Sequence, residues 1–254
     1  MNTQRNWTRE EIMLAFELYC TIPSGQVTAK NPLIKSLADS IRRTHNSVKL
    51  KLQNFKSYDP SYTTDGRIGL SHGSKLDKEV CDEFLNNWDA LVYKTSELKR
   101  QLGLQEDMSA PEAANEFFIG KEVESIARRR IGQSFFRRTL LASFDNKCCI
   151  TGINSPLLLR ASHIKPWSQS NDINEKTNPQ NGILLNALHD EAFDKGLITI
   201  TPKYLLIIST QLSPDTDWYF DFFSRYNGTE IQKPNKFLPA KNFIEYHNDM
   251  IFKG

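Results

Sequence analysis

The sequence predicts an α+β protein in which a mainly helical N-terminal part is followed by two short strands and a helix. Apolar residues recur at helical spacing between Ile12 and Tyr19. Two short apolar runs in the second half, 157–164 and 182–185, are typical of strands. An acidic stretch that begins near Asn186 follows the second run and is predicted to be helical. The predicted fold class therefore rests on the change from helical spacing of apolar residues in the first half to short apolar runs in the second half.

The first helix is predicted to begin with a capping box. Thr8 is the candidate N-cap, and Glu11, three positions later, is the residue type that completes the box. The helix is expected to end near Thr21, because Pro23 and a glycine follow. This start signal agrees with the apolar spacing, although the two are independent.

A helix-turn-helix pattern follows. Pro32 opens one predicted helix, a polar turn covers residues 44–47, and the next helix is predicted from Val48 to Phe55. This region would expose residue types that suit phosphate and base-edge contacts: Asn46, Ser47, Lys49 and Lys51. A helical hairpin that binds nothing is the alternative interpretation. With the polar stretch 62–73 as a candidate wing, we expect a helix-turn-helix or winged-helix-like unit for DNA recognition.

Composition places a domain boundary near the middle of the chain. Residues 104–116 contain no basic residue and include a proline, which is typical of a linker. We therefore expect an N-terminal helical DNA-recognition domain at 1–103 and a second domain at 117–254. A chain of 254 residues with 39% apolar content has room for two hydrophobic cores.

The sequence gives no indication of secretion or membrane insertion. Its first residues lack the apolar stretch of a signal peptide, and no uninterrupted apolar run approaches about 18 residues. We expect a cytoplasmic protein that contacts no membrane. The four cysteines are too few and too unevenly spaced for a disulfide framework, so we expect reduced and mostly buried thiols.

The net charge of +2 hides a basic segment. Residues 121–165 contain nine Lys or Arg and three acids. Two interpretations are open: a solvated helix face, or a surface that contacts phosphates. We favour the phosphate surface, with Arg137 and Arg138 among its contacts, because the segment leads directly into the first predicted strand.

Residues 149–200 carry the most specific pattern in the chain. It consists of SHIKPW, then NPQNGILL, then HDEAFDKGLI. A His, an Asn and an acidic helix follow one another, and this order resembles the HNH nuclease family, also called ββα-metal or His-Me finger nucleases. The resemblance covers roughly residues 128–210. It implies a ββα-metal nuclease domain in the second half of the chain.

The resemblance implies catalytic roles for two residues. His163, at the end of the first predicted strand, matches the family's general base. Asn181 matches the Asn that orients this His by hydrogen bonding. Asn178 is the competing candidate, but the proline after it favours a turn. Arg160 and Lys165 flank His163 and are expected to bind the phosphates on either side of the cut.

Metal ligands are expected from the acidic helix. Asp190 and Asp194 stand four residues apart and would share one helix face, with His189 as an alternative ligand or a phosphate contact. Carboxylate oxygens favour Mg²⁺ or Mn²⁺. The alternative for Asp190 and Glu191 is that they are ordinary first-turn acids that complement the helix dipole.

Two departures from the family pattern concern metals. The residue before the catalytic His is often a metal-ligating Asp, Glu or His, whereas this chain has Ser162. The metal would then be held mainly by the helix carboxylates and the phosphate, or bound weakly, or the site would be decayed. Many family members also hold a structural zinc with two Cys-x-x-Cys pairs. No second pair follows Cys149, so we expect no structural zinc.

The sequence therefore predicts a metal-dependent endonuclease that cleaves double-stranded DNA, of the bacterial restriction type. A small reader domain before an HNH domain is similar to the arrangement of modification-dependent restriction enzymes, which cut DNA with methylated or hydroxymethylated cytosine. The expected specificity for modified cytosine rests only on this similarity of domain order. The alternatives are a conventional sequence-specific or phage-associated nuclease and a non-catalytic DNA-binding regulator with a decayed HNH fold. Formation of a homodimer is left open.

Overall fold

The protein combines helices with small antiparallel sheets. The computed structural model describes residues 5–59, 73–104, 121–171, 174–212 and 217–254. The first half of this described chain contains α1 (Arg9–Thr21), α2 (Pro32–Ser40), α3 (His45–Asn54), α4 (Lys75–Leu85) and α5 (Trp88–Gln101). The second half contains α6 (Lys121–Ser143), β1 (Leu159–His163), β2 (Gly182–Asn186), α7 (Ala187–Asp194), β3 (Ile198–Ile200), β4 (Leu206–Ile208), α8 (Asp217–Phe222) and α9 (Lys241–Met250). β1 pairs with β2, and β3 pairs with β4, so the predicted α+β class is confirmed.

The predicted capping box of α1 is confirmed. The Glu11 backbone N–H donates to the Thr8 hydroxyl at 3.3 Å, and the Thr8 N–H donates to the Glu11 carboxylate at 3.0 Å. The helix ends at Thr21, as expected. Almost the whole of α1 is buried, because the other N-terminal helices and α6 surround it.

α2 and α3 are joined by a turn of four residues. α3 begins at His45 and not at Val48, because the Thr44 hydroxyl accepts from the Ser47 N–H at 3.2 Å and so caps the helix three residues earlier than predicted. The predicted wing at 62–73 lies outside the described residues except for Gly73. Two helices and a short turn are therefore present, and DNA recognition by them stays a proposal.

Two hydrophobic cores lie on opposite sides of α6. The first core is built from the N-terminal helices and also receives Phe135 from α6 and Phe237 from the C-terminal segment. The second core surrounds the two sheets and receives Phe136 from α6. Adjacent phenylalanines of one helix thus enter different cores. The predicted linker at 104–116 lies outside the described residues except for Leu104, which packs against the first core.

Polar contacts connect the two halves of the chain. The buried Glu17 carboxylate of α1 is paired with Lys99 of α5 at 2.6 Å and with Arg138 of α6 at 3.2 Å. The buried Lys236 ammonium donates to the Tyr19 and Ile22 carbonyl oxygens at the end of α1. The ion pairs and hydrogen bonds thus give each of these charges at least one partner at the junction.

Two further expectations can be compared with the structure. All four cysteines are free and buried, as predicted. Within the described ranges, no helix has both the length and the apolar character needed to cross a bilayer.

Arg138→Ala is expected to lower the free energy of unfolding by about 1–3 kcal/mol, because the buried Glu17 would keep only Lys99 as its partner. Urea denaturation measures this change. Arg100→Ala is the matched control, since it removes an exposed pair with Glu97 and should leave the transition midpoint unchanged. Equal midpoints for both variants would contradict a structural role of Arg138.

Candidate active site

The β1–β2 pair fixes the position of His163. The strands are antiparallel, with Leu159 opposite Asn186 and His163 opposite Gly182. A Cβ atom on Gly182 would lie 2.5 Å from the Phe136 ring, far inside normal contact distance. Glycine is therefore needed here for α6 to approach the strand directly beside His163.

The His163 imidazole is held on three sides. Its ring stacks on Phe136 of α6, with ring centroids 3.9 Å apart and an interplanar angle of 9°. Trp167 meets it edge-on at 5.4 Å. Its Nε2 atom lies 2.9 Å from the Lys176 carbonyl oxygen. Packing and this hydrogen bond together define the ring plane.

The hydrogen bond also defines the tautomer of His163. A carbonyl oxygen can only accept, so Nε2 carries the proton and Nδ1 keeps its lone pair. Burial lowers the pKa of His163 to about 4, although the bond to the Lys176 carbonyl acts in the opposite direction. The imidazole is therefore neutral at physiological pH and can accept a proton at Nδ1.

Asn181 is fully buried and holds the loop that follows β1. Its Oδ1 accepts from the Lys165 N–H at 2.8 Å. Its Nδ2 donates to the Lys165 carbonyl, the Ser170 hydroxyl and the Glu175 carbonyl, at 3.1–3.2 Å. The expectation of a direct hydrogen bond to His163 is corrected. The Asn181 amide instead bonds to the two ends of the loop from Lys165 to Glu175. The next carbonyl, that of Lys176, accepts from the His163 imidazole.

Asn178, the competing candidate, serves a turn. Its side chain accepts from the Gln180 N–H at 2.9 Å and donates to the Asn174 carbonyl at 3.2 Å. These are local bonds of the kind that asparagine makes before a proline. Asn178 therefore shapes the approach to β2.

α7 begins directly after β2 and carries the two candidate carboxylates. The Asn186 side chain caps the helix by accepting from the Leu188 and His189 N–H groups, both at 3.0 Å. Asp190 and Asp194, one helical turn apart, line the same cleft as the imidazole described above. The spacing predicted from the sequence therefore places both carboxylates on one face.

The electrostatics of these carboxylates differ from those of ordinary surface acids. Burial raises the pKa of Asp190, against the opposing effects of the Ser162 hydroxyl and Arg160. Burial, followed by repulsion from Asp190 and Glu191, raises the pKa of Asp194 to about 6. Two close carboxylates that repel each other are stabilised by a cation.

His189 is corrected as a candidate ligand. It is fully buried, and its Nε2 lies 2.7 Å from the Phe222 carbonyl, whereas its Nδ1 lies 2.8 Å from the Asn186 Nδ2. Nε2 therefore donates and Nδ1 accepts. No lone pair is left to bind a metal, and no N–H is left to donate to a phosphate. The residue fixes α8 to the start of α7.

The cleft has a volume of about 720 Å³ and is lined by side chains of both charges. Its lining includes Arg129, Gln133, Phe136, Arg137, Arg160, Ser162, His163, Trp167, Asp190, Asp194 and His247. Three arginines supply positive charge, and the α7 carboxylates supply negative charge. Such a cleft is suited to a phosphate together with a cation.

Two basic residues expected at the phosphates lie elsewhere. Arg138 is paired with the buried Glu17 at the junction of the two cores. Lys165 is paired with Glu175 at 2.7 Å and lies over the Tyr246 ring. Neither lines the cleft. Both DNA-contact expectations are therefore corrected, because Glu17 binds Arg138 and Glu175 binds Lys165 away from the cleft.

The candidate recognition residues of α3 differ in whether their side chains are accessible. Lys51 is buried and donates to both Asp77 carboxylate oxygens, at 2.7 and 2.9 Å, so its expected DNA contact is corrected. Asn46 is exposed, whereas Lys49 and Ser47 are half-buried. Asn46, Ser47 and Lys49 thus keep side chains that are at least partly accessible.

Lining residues that were not singled out from the sequence include Arg129, Gln133, Phe136, Trp167 and His247. The first three recur on α6 at intervals of four and three residues, which places them on one helix face. This stripe of basic, polar and aromatic residues on one helix face was the sequence signal that could have indicated their position in the cleft. Trp167 follows Pro166 directly after β1, and only its position near His163 could have suggested a role.

The donor set of the cleft fits one hard divalent cation. Asp190 and Asp194 offer carboxylate oxygens from successive turns of α7. Over the described ranges, no group of three or more His, Cys, Asp or Glu side chains could hold a metal. Mg²⁺ is commonly held by one or two carboxylates, with water and substrate phosphate as its other ligands. Asp190 and Asp194, which repel each other and share the cleft lining with three arginines, satisfy this requirement.

Comparison with known proteins identifies the central part of this site. The family model for HNH endonucleases matches residues 148–201. This range contains β1, β2, α7 and β3, and therefore the candidate His, Asn and carboxylates. The comparison with curated proteins found no significant match to the chain. Residues 148–201 form a domain of the HNH endonuclease family.

Proposed function

We propose that the protein is a metal-dependent endonuclease that hydrolyses phosphodiester bonds of double-stranded DNA. The observation that carries the proposal is that His163, Asp190 and Asp194 line one cleft together with three arginines. His163, Asp190 and Asp194 lie in the segment that matches HNH endonucleases, whereas α6 contributes further lining residues from outside it. A general base, a pair of carboxylates for a cation and phosphate-binding arginines are the parts that this hydrolysis requires.

Each residue has a defined task in the proposed reaction. His163 accepts a proton at Nδ1 from the attacking water, and the Lys176 carbonyl keeps the other ring nitrogen protonated. Asp190 and Asp194 would hold one Mg²⁺ or Mn²⁺ ion, which supplies charge stabilisation at the phosphate and the leaving oxygen. Arg137 and Arg160 bind the neighbouring phosphates.

We further propose that the enzyme is of the restriction type, that its target contains modified cytosine, and that the N-terminal unit selects this target. Support comes from the order of a helical unit before the HNH domain and from the outward face of α3, with Asn46 and Lys49. Side chains of this kind on a short helix after a tight turn suit base-edge and phosphate contacts.

His163→Ala is expected to lower the rate of plasmid cleavage by about 10²–10⁴-fold, because the water loses its proton acceptor. The affinity for DNA should change little, since the arginines of the cleft remain. Single-turnover cleavage and fluorescence anisotropy measure the two quantities. A variant that cuts at the parent rate would remove His163 from the mechanism.

Asp190→Asn is expected to raise the Mg²⁺ or Mn²⁺ concentration for half-maximal cleavage by at least about 10–100-fold, the effect that even an indirect metal partner has. Glu191→Gln is the matched control: it lies on the same helix, is mostly exposed and pairs with Lys195. Because the Glu191 charge also acts on Asp194, this control should change the metal requirement far less than Asp190→Asn does. Equal metal dependence of both variants would show that Asp190 only complements the helix dipole.

Cleavage at low metal concentration is expected to rise with pH through about 6. The His163 pKa of about 4 leaves its lone pair available well below that pH, whereas Asp194, with a pKa of about 6, must lose its proton to bind a cation. Since metal and protons compete for the carboxylate, more metal should move the midpoint to lower pH. Single-turnover rates at two Mn²⁺ concentrations measure this shift, and a midpoint that does not depend on metal would contradict it.

Target choice is tested on the full chain carrying His163→Ala, which should bind DNA without cutting it. We expect tighter binding to duplexes with methylcytosine or hydroxymethylcytosine than to unmodified ones. Replacement of Asn46 and Lys49 by alanine should remove this preference, whereas Lys78→Ala, an exposed lysine of α4, should retain it. Tight binding to one unmodified sequence would instead indicate a conventional restriction enzyme.

A further inference from the structure

Two leucines are exposed in the turn that leads into β1. Leu157 is 86% exposed and Leu158 is 52% exposed. We refer to residues 155–158 as the leucine turn. It is a closed structure, since the Leu158 N–H donates to the Ser155 carbonyl at 2.9 Å. A single exposed leucine is ordinary, but two in succession on a tight turn are a feature to be explained.

Two arginines of the cleft attach the leucine turn to the active site. Arg137 donates to the Pro156 carbonyl at 3.1 Å and to the Leu159 carbonyl at 3.0 Å. Arg160 donates to the Leu157 carbonyl at 3.0 Å and to the same Leu159 carbonyl at 3.1 Å. The backbone of the leucine turn is thus held by two arginines that line the cleft.

The arginine pair identifies the kind of partner that fits this surface. Among the described residues, neither Arg137 nor Arg160 is ion-paired with a carboxylate. Two guanidinium groups that share one carbonyl oxygen repel each other and are stabilised by an anion. The phosphates of a DNA strand supply such anions at regular spacing, beside a groove with apolar walls.

We infer that Leu157 enters the minor groove of the bound duplex as a wedge, while Arg137 and Arg160 hold the adjacent phosphates. This inference rests on the proposed nuclease function. Apolar side chains inserted between base steps unstack them and bend the duplex, and flanking arginines compensate the cost. Bending would present the scissile phosphate to His163.

A second copy of the chain fits the leucine turn less well than DNA does. A symmetric contact places the same residues opposite one another. Contact through Leu157 near the two-fold axis would bring two arginine pairs close together, and the carboxylates that could compensate them, Asp190 and Asp194, are the proposed ligands of the cation. DNA has the opposite charge and needs no such compensation.

The wedge would also contribute to target choice. The cost of bending depends on the base step that is opened, and pyrimidine–purine steps open most easily. Cleavage would then favour such steps even where no side chain contacts a base edge. This preference would add to any selection by the N-terminal unit.

The test uses the full chain and a short duplex labelled at both ends for energy transfer. Binding of the His163→Ala protein should bend the duplex, and addition of Leu157→Ser should abolish most of that bend. In the cleavage-competent chain, Leu157→Ser should lower the cutting rate by about 10–100-fold, the cost of a misplaced reacting group. DNA affinity should change little, because phosphate contacts dominate it.

Three controls define the outcome. Leu157→Met should bend and cut like the parent, and Leu33→Ser, at another exposed leucine, should have no effect. A mismatched duplex, which is already easier to unstack, should restore cutting by Leu157→Ser. Normal bending and cutting by Leu157→Ser would overturn the wedge and leave the nuclease proposal intact. A dimeric parent that Leu157→Ser converts to a monomer in sedimentation would also overturn it, and a parent that neither binds nor cuts DNA would overturn both proposals.

Discussion

The site depends on the rotation of α6 about its own axis. Phe135 packs in the first core at 6.1 Å from the Trp88 ring, and the next residue, Phe136, stacks on His163 in the second core. Successive residues of a helix point about 100° apart, so turning α6 by one position would expose one of the two rings. Burial of large aromatic side chains on both sides therefore fixes the orientation of the imidazole.

The N-terminal unit is consequently more than an attachment to a nuclease domain. Besides Phe135, the C-terminal segment reaches back to it, where the Lys236 ammonium caps the carbonyl end of α1. Burial lowers the pKa of Lys236 to about 8, so this contact is made at a real cost in desolvation. Removal of the N-terminal helices would leave an apolar face of α6 and this amine without partners. Target binding and catalysis are therefore best measured on the whole chain.

Local signals were sufficient for the elements, but not for the pairing of charges. The Thr8 capping box depends on residues three positions apart, and the sequence contains both. By contrast, the ion pair of Arg138 with Glu17 and that of Lys51 with Asp77 join residues far apart in the chain. Such pairing decides which members of a basic segment remain available to phosphates. Only three-dimensional packing determines it, so the sequence named Arg138 and Lys165 alongside Arg137 and Arg160, of which only the last two line the cleft.

The effect of Asn181 on His163 also depends on packing, because the two side chains make no direct hydrogen bond. The resemblance implied a direct bond to His163, whereas the buried amide holds the ends of the loop that runs from Lys165 to Glu175. The following carbonyl, that of Lys176, then fixes the proton on Nε2. A change in this loop would move the acceptor of the Nε2 proton and so release the other tautomer. The tautomer of His163 is therefore set by a backbone carbonyl whose position depends on a side chain five residues further along the chain, whereas burial lowers its pKa.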